Sequence, residues 1–294
     1  MSKVLIHADD YGISPRNSQK YITLLQQGCL DSLSILPNTQ YFDECASMFI
    51  EKLDSFPQRP LYSVHLNLVD GLSVSTKQLS LLHDENKCIT TSWGKLFLAS
   101  FFSFSKRKML KQQLKEEIYA QILKVHTAYD YQSSLRIDSH MHTHMIPIVS
   151  EALYEVITEN NLSVEFVRVT REPLHLFFRS LKYATTYSLI NLVKNVILNL
   201  LAPQLDKKLQ KLCIPSSYLL GVMMSGHMDY TRVSALSPLF SQYAKEHNKH
   251  LEILFHPGQM DSSELGIAQN KKDIYEFYLS DNRNIEYECI RTLL

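Results

Sequence analysis

Lys3-Val4-Leu5-Ile6-His7-Ala8-Asp9-Asp10-Tyr11-Gly12 starts as an apolar run and stops on two adjacent carboxylates. Val4 to Ala8 reads as a short buried strand, and Gly12 with Ser14-Pro15 supplies the turn that ends it. Neighbouring carboxylates repel each other, so a cation, either a metal or an arginine, must make the pair tolerable. For an Asp-Asp pair alone, a helix cap or a solvated loop is an equal reading. The rest of the chain decides between them, because histidines stand at three other apparent strand ends.

Outward from that strand, short apolar runs alternate with longer helical patterns. Helical spacing covers 17–28, where Tyr21, Leu24 and Leu25 share a face, then 41–51, 108–128, 149–160, 182–201, 203–212 and 234–247. Strand patterns cover 32–36, 62–68, 135–139, 164–169, 219–223 and 251–255. This alternation predicts an α/β fold with a mostly parallel sheet or a barrel. No repeat, low-complexity tract or Pro/Gly linker divides the chain, so residues 1–294 read as one domain. Residues 71–104 lack periodicity and read as an excursion near the site mouth, 180–213 as a helical segment, and the polar stretch beyond Gly258 as a surface wrap.

Thirty basic residues balance thirty acidic ones, which leaves no electrostatic footprint for nucleic acid or an anionic membrane. Five dispersed cysteines without a CxxC pair predict reduced thiols and a cytoplasmic setting. The start of the chain shows no signal-peptide pattern, because the acidic pair interrupts it. The most apolar stretch, 187–202, is broken by Asn191, Lys194, Asn195 and Asn199 and falls short of the roughly 20 residues of a membrane span. It reads as an amphipathic or buried helix, with a homodimer contact or a membrane-surface helix as the other readings.

The histidines carry the chemistry. His65 shares a face with Ser63 and Asn67 in the strand Ser63-Val64-His65-Leu66-Asn67-Leu68. In Asp138-Ser139-His140-Met141-His142-Thr143-His144, spacing by two predicts three imidazoles on one side of an extended segment. Such a face is costly if buried without partners, which favours a metal or catalytic role. His256 ends the run Ile253-Leu254-Phe255, since Pro257 cannot continue a central strand. In parallel α/β folds the carboxyl ends of the strands form the functional face, so these segments and Asp9-Asp10 would converge there. Two histidines and a carboxylate suit a catalytic divalent metal, and a second carboxylate nearby suits a general base. Arg168, at the end of its strand, fits a substrate-orienting group, or equally an ion pair with Glu165 or Glu172. Asn67, His142 and His144 are the other candidate substrate contacts, the two histidines alternatively orienting ligands.

The sequence resembles the YdjC/ChbG-like carbohydrate deacetylases, a family related in fold to the polysaccharide deacetylases. The resemblance is carried by His7-Ala8-Asp9-Asp10-Tyr11-Gly12-Ile13-Ser14, Val64-His65-Leu66-Asn67-Leu68, Ile137 to Pro147 and Phe255-His256-Pro257-Gly258. Tyr11 stands where the family more often has Phe. The resemblance implies a distorted (β/α) barrel, TIM-barrel-like, and one divalent metal ion, magnesium or zinc, bound by Asp10, His65 and His140. By analogy with the wider superfamily it implies Asp9 as base and His256 as acid, acting on an N-acetylated saccharide such as a chitooligosaccharide. Two other readings compete with it. A metal-dependent phosphoesterase on a similar barrel would usually open with paired histidines and want a cationic or Gly-rich phosphate cradle, yet the chain has only eight glycines. A non-catalytic carbohydrate-binding protein would be expected to lack at least one of Asp9, Asp10, His65, His140 or His256, and all are present.

Overall fold

Ser14 and Pro15 act together at the first turn of the fold. The Ser14 hydroxyl accepts from the Asn17 amide, and Pro15 sits in the first helical turn, where its missing N–H costs nothing. The computed structural model describes residues 3–101, 103–179, 182–183, 187–265 and 272–293. β1 (Val4–Tyr11) leads through that turn into α1 (Pro15–Gln26). β2 (Ser32–Ile35) is followed by α2 (Phe42–Lys52), and β3 (Leu61–Leu66) by α3 (Trp93–Ala99) and α4 (Phe104–Ala128). After β4 (Leu135–Ser139) come α5 (Pro147–Glu159), β5 (Val164–Val167), α6 (Leu174–Phe177) and α7 (Leu189–Lys211). β6 (Ser217–Leu220), α8 (Tyr230–Glu246), β7 (His250–Phe255), α9 (Lys272–Tyr278) and α10 (Asn282–Thr292) complete the order.

The sheet has seven strands in the order β5-β4-β3-β2-β1-β7-β6, and every pairing is parallel. Spatial neighbours are sequence neighbours, and β1 lies beside β7, the order of a curled barrel. Its seam falls between β5 and β6. There the Leu219 amide donates to the Arg171 carbonyl at 3.0 Å, a backbone bond that spans the gap. The α/β fold read from the sequence is therefore found, as a distorted barrel open along one side.

Helices cover the outside. α1 buries Tyr21, Ile22, Leu24 and Leu25, and α4 buries Leu114, Ile118, Ile122 and Val125. Phe49 of α2 is fully buried with its ring 5.6 Å from Tyr11, 5.4 Å from Phe56 and 5.3 Å from Tyr129, measured between centroids. These tilted and edge-on contacts add to the area the rings remove from water.

Several boundaries differ from the sequence reading. The helices expected at 182–201 and 203–212 are one helix from Leu189 to Lys211, with Pro203 inside it. The loss of one backbone bond is tolerated because Leu198, Ala202, Leu205 and Leu209 bury an apolar stripe that continues across the proline. Residues 184–186 of the expected helix lie outside the described residues. β6 stops at Leu220 because Gly221, at φ 155°, lies so close to β7 that a Cβ would stand 2.7 Å from the Leu254 carbonyl oxygen. The segment beyond Gly258 is not a surface wrap. Tyr278 at the end of α9 is buried, and so are Arg283, Glu286, Cys289 and Ile290, because α10 turns one stripe of its surface inward.

Candidate active site

The adjacent aspartates owe their placement to a break in β1. In a regular strand, neighbouring side chains point to opposite faces. Here the pairing with β2 slips between Ala8 and Tyr11, and Asp10 adopts φ 72°. A bulge of this kind re-aims a side chain, and aspartate tolerates the left-handed region better than most residues. Asp10 Oδ1 lies 3.0 Å from His140 Nδ1 and 3.5 Å from His65 Nε2. One donor atom from each of Asp10, His65 and His140 falls within 4.8 Å of the others, and all three residues are buried.

The surroundings fit a divalent cation. His65 Nδ1 is 2.6 Å from Asp138 Oδ1, so its N–H donates there, and Nε2 faces Asp10. A carboxylate behind a histidine in this way orients a ligating imidazole. Four buried carboxylates, from Asp9, Asp10, Asp138 and Glu252, face the two buried guanidiniums of Arg168 and Arg283, an excess of two negative charges. Burial alone would lower the His65 pKa, but the charges of Asp9 and Asp138 and its bonds to Asp10 and Asp138 carry it up to about 10. The site thus demands positive charge, and the nitrogen and oxygen donors supply a set that binds several divalent ions. A second group, His7, Asp9 and Asp138, is also close enough to share an ion. Arg168 donates to both of its carboxylates and already supplies its cation.

Asp9 is held rather than free. Arg168 Nη1 and Nη2 donate to its two oxygens at 2.9 and 3.0 Å, and His7 Nε2 lies 3.0 Å from Oδ1. Burial pushes the Asp9 carboxyl upward, but Arg168, His65 and His7 together hold it well below the ordinary carboxylate range. Arg168 is fully buried and absent from the cavity lining. Its Nη2 also donates to Asp138 at 3.0 Å and its Nε to Glu252 at 2.9 Å. It therefore stands behind Asp9, and it pairs with neither Glu165 nor Glu172. Glu165 is taken by Arg136, and Glu172 accepts the Gly221, Val222 and Met223 amides.

The three histidines after β4 do not share one face of an extended segment. Met141 and His142 take φ 53° and 54°, a left-handed kink between the short turns of 140–145, and the three side chains separate. His140 joins Asp10. His142 lines the cavity, its Nδ1 3.2 Å from the Thr170 hydroxyl. His144 is fully buried, with Nδ1 2.6 Å from Ser139 Oγ and Nε2 donating to the Arg168 carbonyl at 2.7 Å. Burial lowers its pKa to about 4, so the ring is neutral and braces the Arg168 backbone. Asn67, expected to meet substrate, is buried in the turn after β3. Its side-chain oxygen accepts the Val69 and Asp70 amides at 3.2 and 3.1 Å.

His256 and Asp9 line one cavity of about 470 Å³ together with His65, His140 and His142. The His256 Nδ1 lies 3.7 Å from Glu286 Oε2, and its ring meets the Phe277 ring edge-on at 5.1 Å. Trp93, from the stretch between β3 and α4, also lines the cavity.

Several residues that build the site were not singled out from sequence. Arg283 donates to Asp10 Oδ2 at 3.0 Å and to the Gly258 carbonyl at 3.0 Å, and the Tyr278 hydroxyl is 3.5 Å from His140 Nε2. His7, Asp138, Glu252 and Glu286 complete the buried network. A charged residue flanked by apolar ones inside a strand, as in Leu251-Glu252-Ile253, was the available signal.

Among proteins of known family, the model for YdjC-like proteins matches residues 3–292. A carbohydrate deacetylase from Danio rerio is 24% identical over 173 residues, 58% of this chain and 50% of that protein, so the match spans half the relative's length. A crystal structure of a protein from Enterococcus faecalis, provisionally described as a cellobiose-phosphate cleavage protein, shares the fold. Its TM-score is 0.64 at 17% identity, covering 99% of this chain and 91% of that one. Among the described residues, no helix is long and apolar enough to cross a membrane.

Proposed function

This chain belongs to the YdjC-like protein family, and from that premise we propose that it is a metal-dependent hydrolase that removes the acetyl group from an N-acetylated sugar. The substrate class is a chitooligosaccharide or a related saccharide containing N-acetylglucosamine. One observation carries the reading: an arginine-held aspartate and a histidine line the same cavity as the two histidines of a buried Asp–His–His set.

Asp10, His65 and His140 would hold the divalent ion, magnesium or zinc, which when bound polarises a carbonyl and lowers the pKa of water. Asp9, kept ionised by Arg168, accepts the proton of the water that adds to the acetamido carbon. The fork of Arg168 fixes the direction of its lone pairs, and His7 holds Oδ1 from the other side. As the carbon–nitrogen bond breaks, the pair of electrons goes to the nitrogen, and His256 supplies its proton. Without that proton an amide nitrogen is a poor leaving group. Glu286 stands beside the His256 ring, its Oε2 3.7 Å from Nδ1. Acetate and an amino sugar leave. His142, on the cavity wall, is placed to contact substrate.

The test is acetate release from N-acetylated mono- and disaccharides, with and without a chelator. Chelator-sensitive release is the expected result. No release from any of them by metal-replete protein would overturn the reading.

A further inference from the structure

Away from its carboxylate and imidazole groups the cavity is mostly apolar. Beyond the carboxylate and imidazole groups, its lining is dominated by Trp93, Met141, Ile197, Leu198, Ile274 and Phe277. Asn191 also lines it, but directs its amide to the Met223 and Ser225 carbonyls at 3.4 and 3.3 Å. Lys194 is the only lysine or arginine among the described lining residues. A sugar carries a hydroxyl on nearly every carbon, and each one buried without a partner costs binding free energy. A cavity of about 470 Å³ with this lining suits a ligand that is polar near Asp9 and apolar farther away.

The apolar character continues past the cavity along α7. Ile197 and Leu198 line the cavity, while Leu189, Ile190, Val193 and Leu200 of the same helix are 73%, 68%, 50% and 74% exposed. No acidic residue occurs from Pro173 to Leu205, a run of 33 residues in a chain that averages one acid in about ten. Covering this face therefore strips no carboxylate of its water.

We propose, on the footing of the deacetylase reading, that the substrate is amphiphilic. Its acetamido sugar enters the cavity, and a hydrocarbon aglycone attached to that sugar lies along α7, from Ile197 and Leu198 out to Val193 and Leu200.

Trp93 is the only tryptophan of the chain and lines the cavity, so its fluorescence reports occupancy whether or not turnover follows. The probes are the methyl and octyl glycosides of N-acetylglucosamine, titrated into metal-replete protein below the micelle concentration of the octyl compound. Each buried methylene strengthens binding about fourfold, so the octyl glycoside is expected to bind at least tenfold more tightly. A Val193→Asp, Leu200→Asp variant is expected to cut that advantage below threefold. Equal affinities for the two glycosides, or an advantage the variant leaves intact, would overturn the proposal. Acetate release from the methyl glycoside without any octyl preference removes this inference alone. Octyl preference without acetate release from either compound keeps the amphiphile site and sinks the deacetylase reading.

Discussion

Replacing Arg168 with lysine tests the part of the site on which the base depends. The guanidinium makes four contacts at 2.9 to 3.0 Å: two to Asp9, one to Asp138 and one to Glu252. A lysine keeps the charge but is a compact ammonium that cannot span three carboxylates set around a planar fork. At least two charge-assisted bonds are lost, at about 1.5–3 kcal/mol each, so the loss of stability is about 3–6 kcal/mol. Asp9 also loses its bidentate partner, and an arginine beside an aspartate lowers its pKa. The acid limb of the pH–rate profile should therefore move to higher pH. Urea unfolding measures the first quantity, and acetate release in metal-replete protein, followed from pH 9 down to below pH 4, measures the second. If Arg168→Lys unfolds within about 1 kcal/mol of wild type and its acid limb superimposes, the fork does not set the state of Asp9, and the argument from its geometry is wrong.

Asp9→Asn should retain metal by elemental analysis while acetate release falls by about 10²–10⁴; turnover at the wild-type rate would remove Asp9 as the base. His65→Ala should weaken metal binding more than tenfold, and unchanged metal content after dialysis would take it out of the ligand set. His144, with a folded pKa of about 4 against about 6.5 unfolded, contributes stability that is complete above pH 6.5 and is lost as the pH falls towards 4. Unfolding at pH 7 and pH 4.5 should differ by about 2–3 kcal/mol from this group, a difference that His144→Gln should erase. Phe49→Ala should cost about 3–5 kcal/mol, and a midpoint close to wild type would mean that the aromatic cluster around it collapses to fill the gap.

Strands were the readable part of this sequence, because each barrel strand is an apolar run that stops at a polar residue. The bulge at Asp10 was not readable. Nothing in Asp9-Asp10 distinguishes a regular strand, which would send the two carboxylates apart, from one that slips by a residue. The turn at Met141 and His142 was hidden for the same reason: a spacing of two looks extended until backbone angles break it. Arg168 was visible as a strand-end arginine, but its place behind Asp9 depends on Glu252, 84 residues away. Arg283, Tyr278 and Glu286 come from a tail whose polarity reads as solvent-facing. The ends of β1, β4 and β7, packed beneath it, give those polar groups partners.

The pairing of β1 with β7, which sets Val4 against Leu251, has a consequence for how the protein is made. Of the seven strands of this sheet β1 leaves the ribosome first, and it must wait for β7 before its second neighbour exists. During translation β1 can add β2 on one side, but its other edge stays bare, and Arg283 reaches Asp10 later still. A nascent chain with an open parallel edge is prone to mispairing, so a ribosome stalled before β7 would hold a chain in need of chaperone protection.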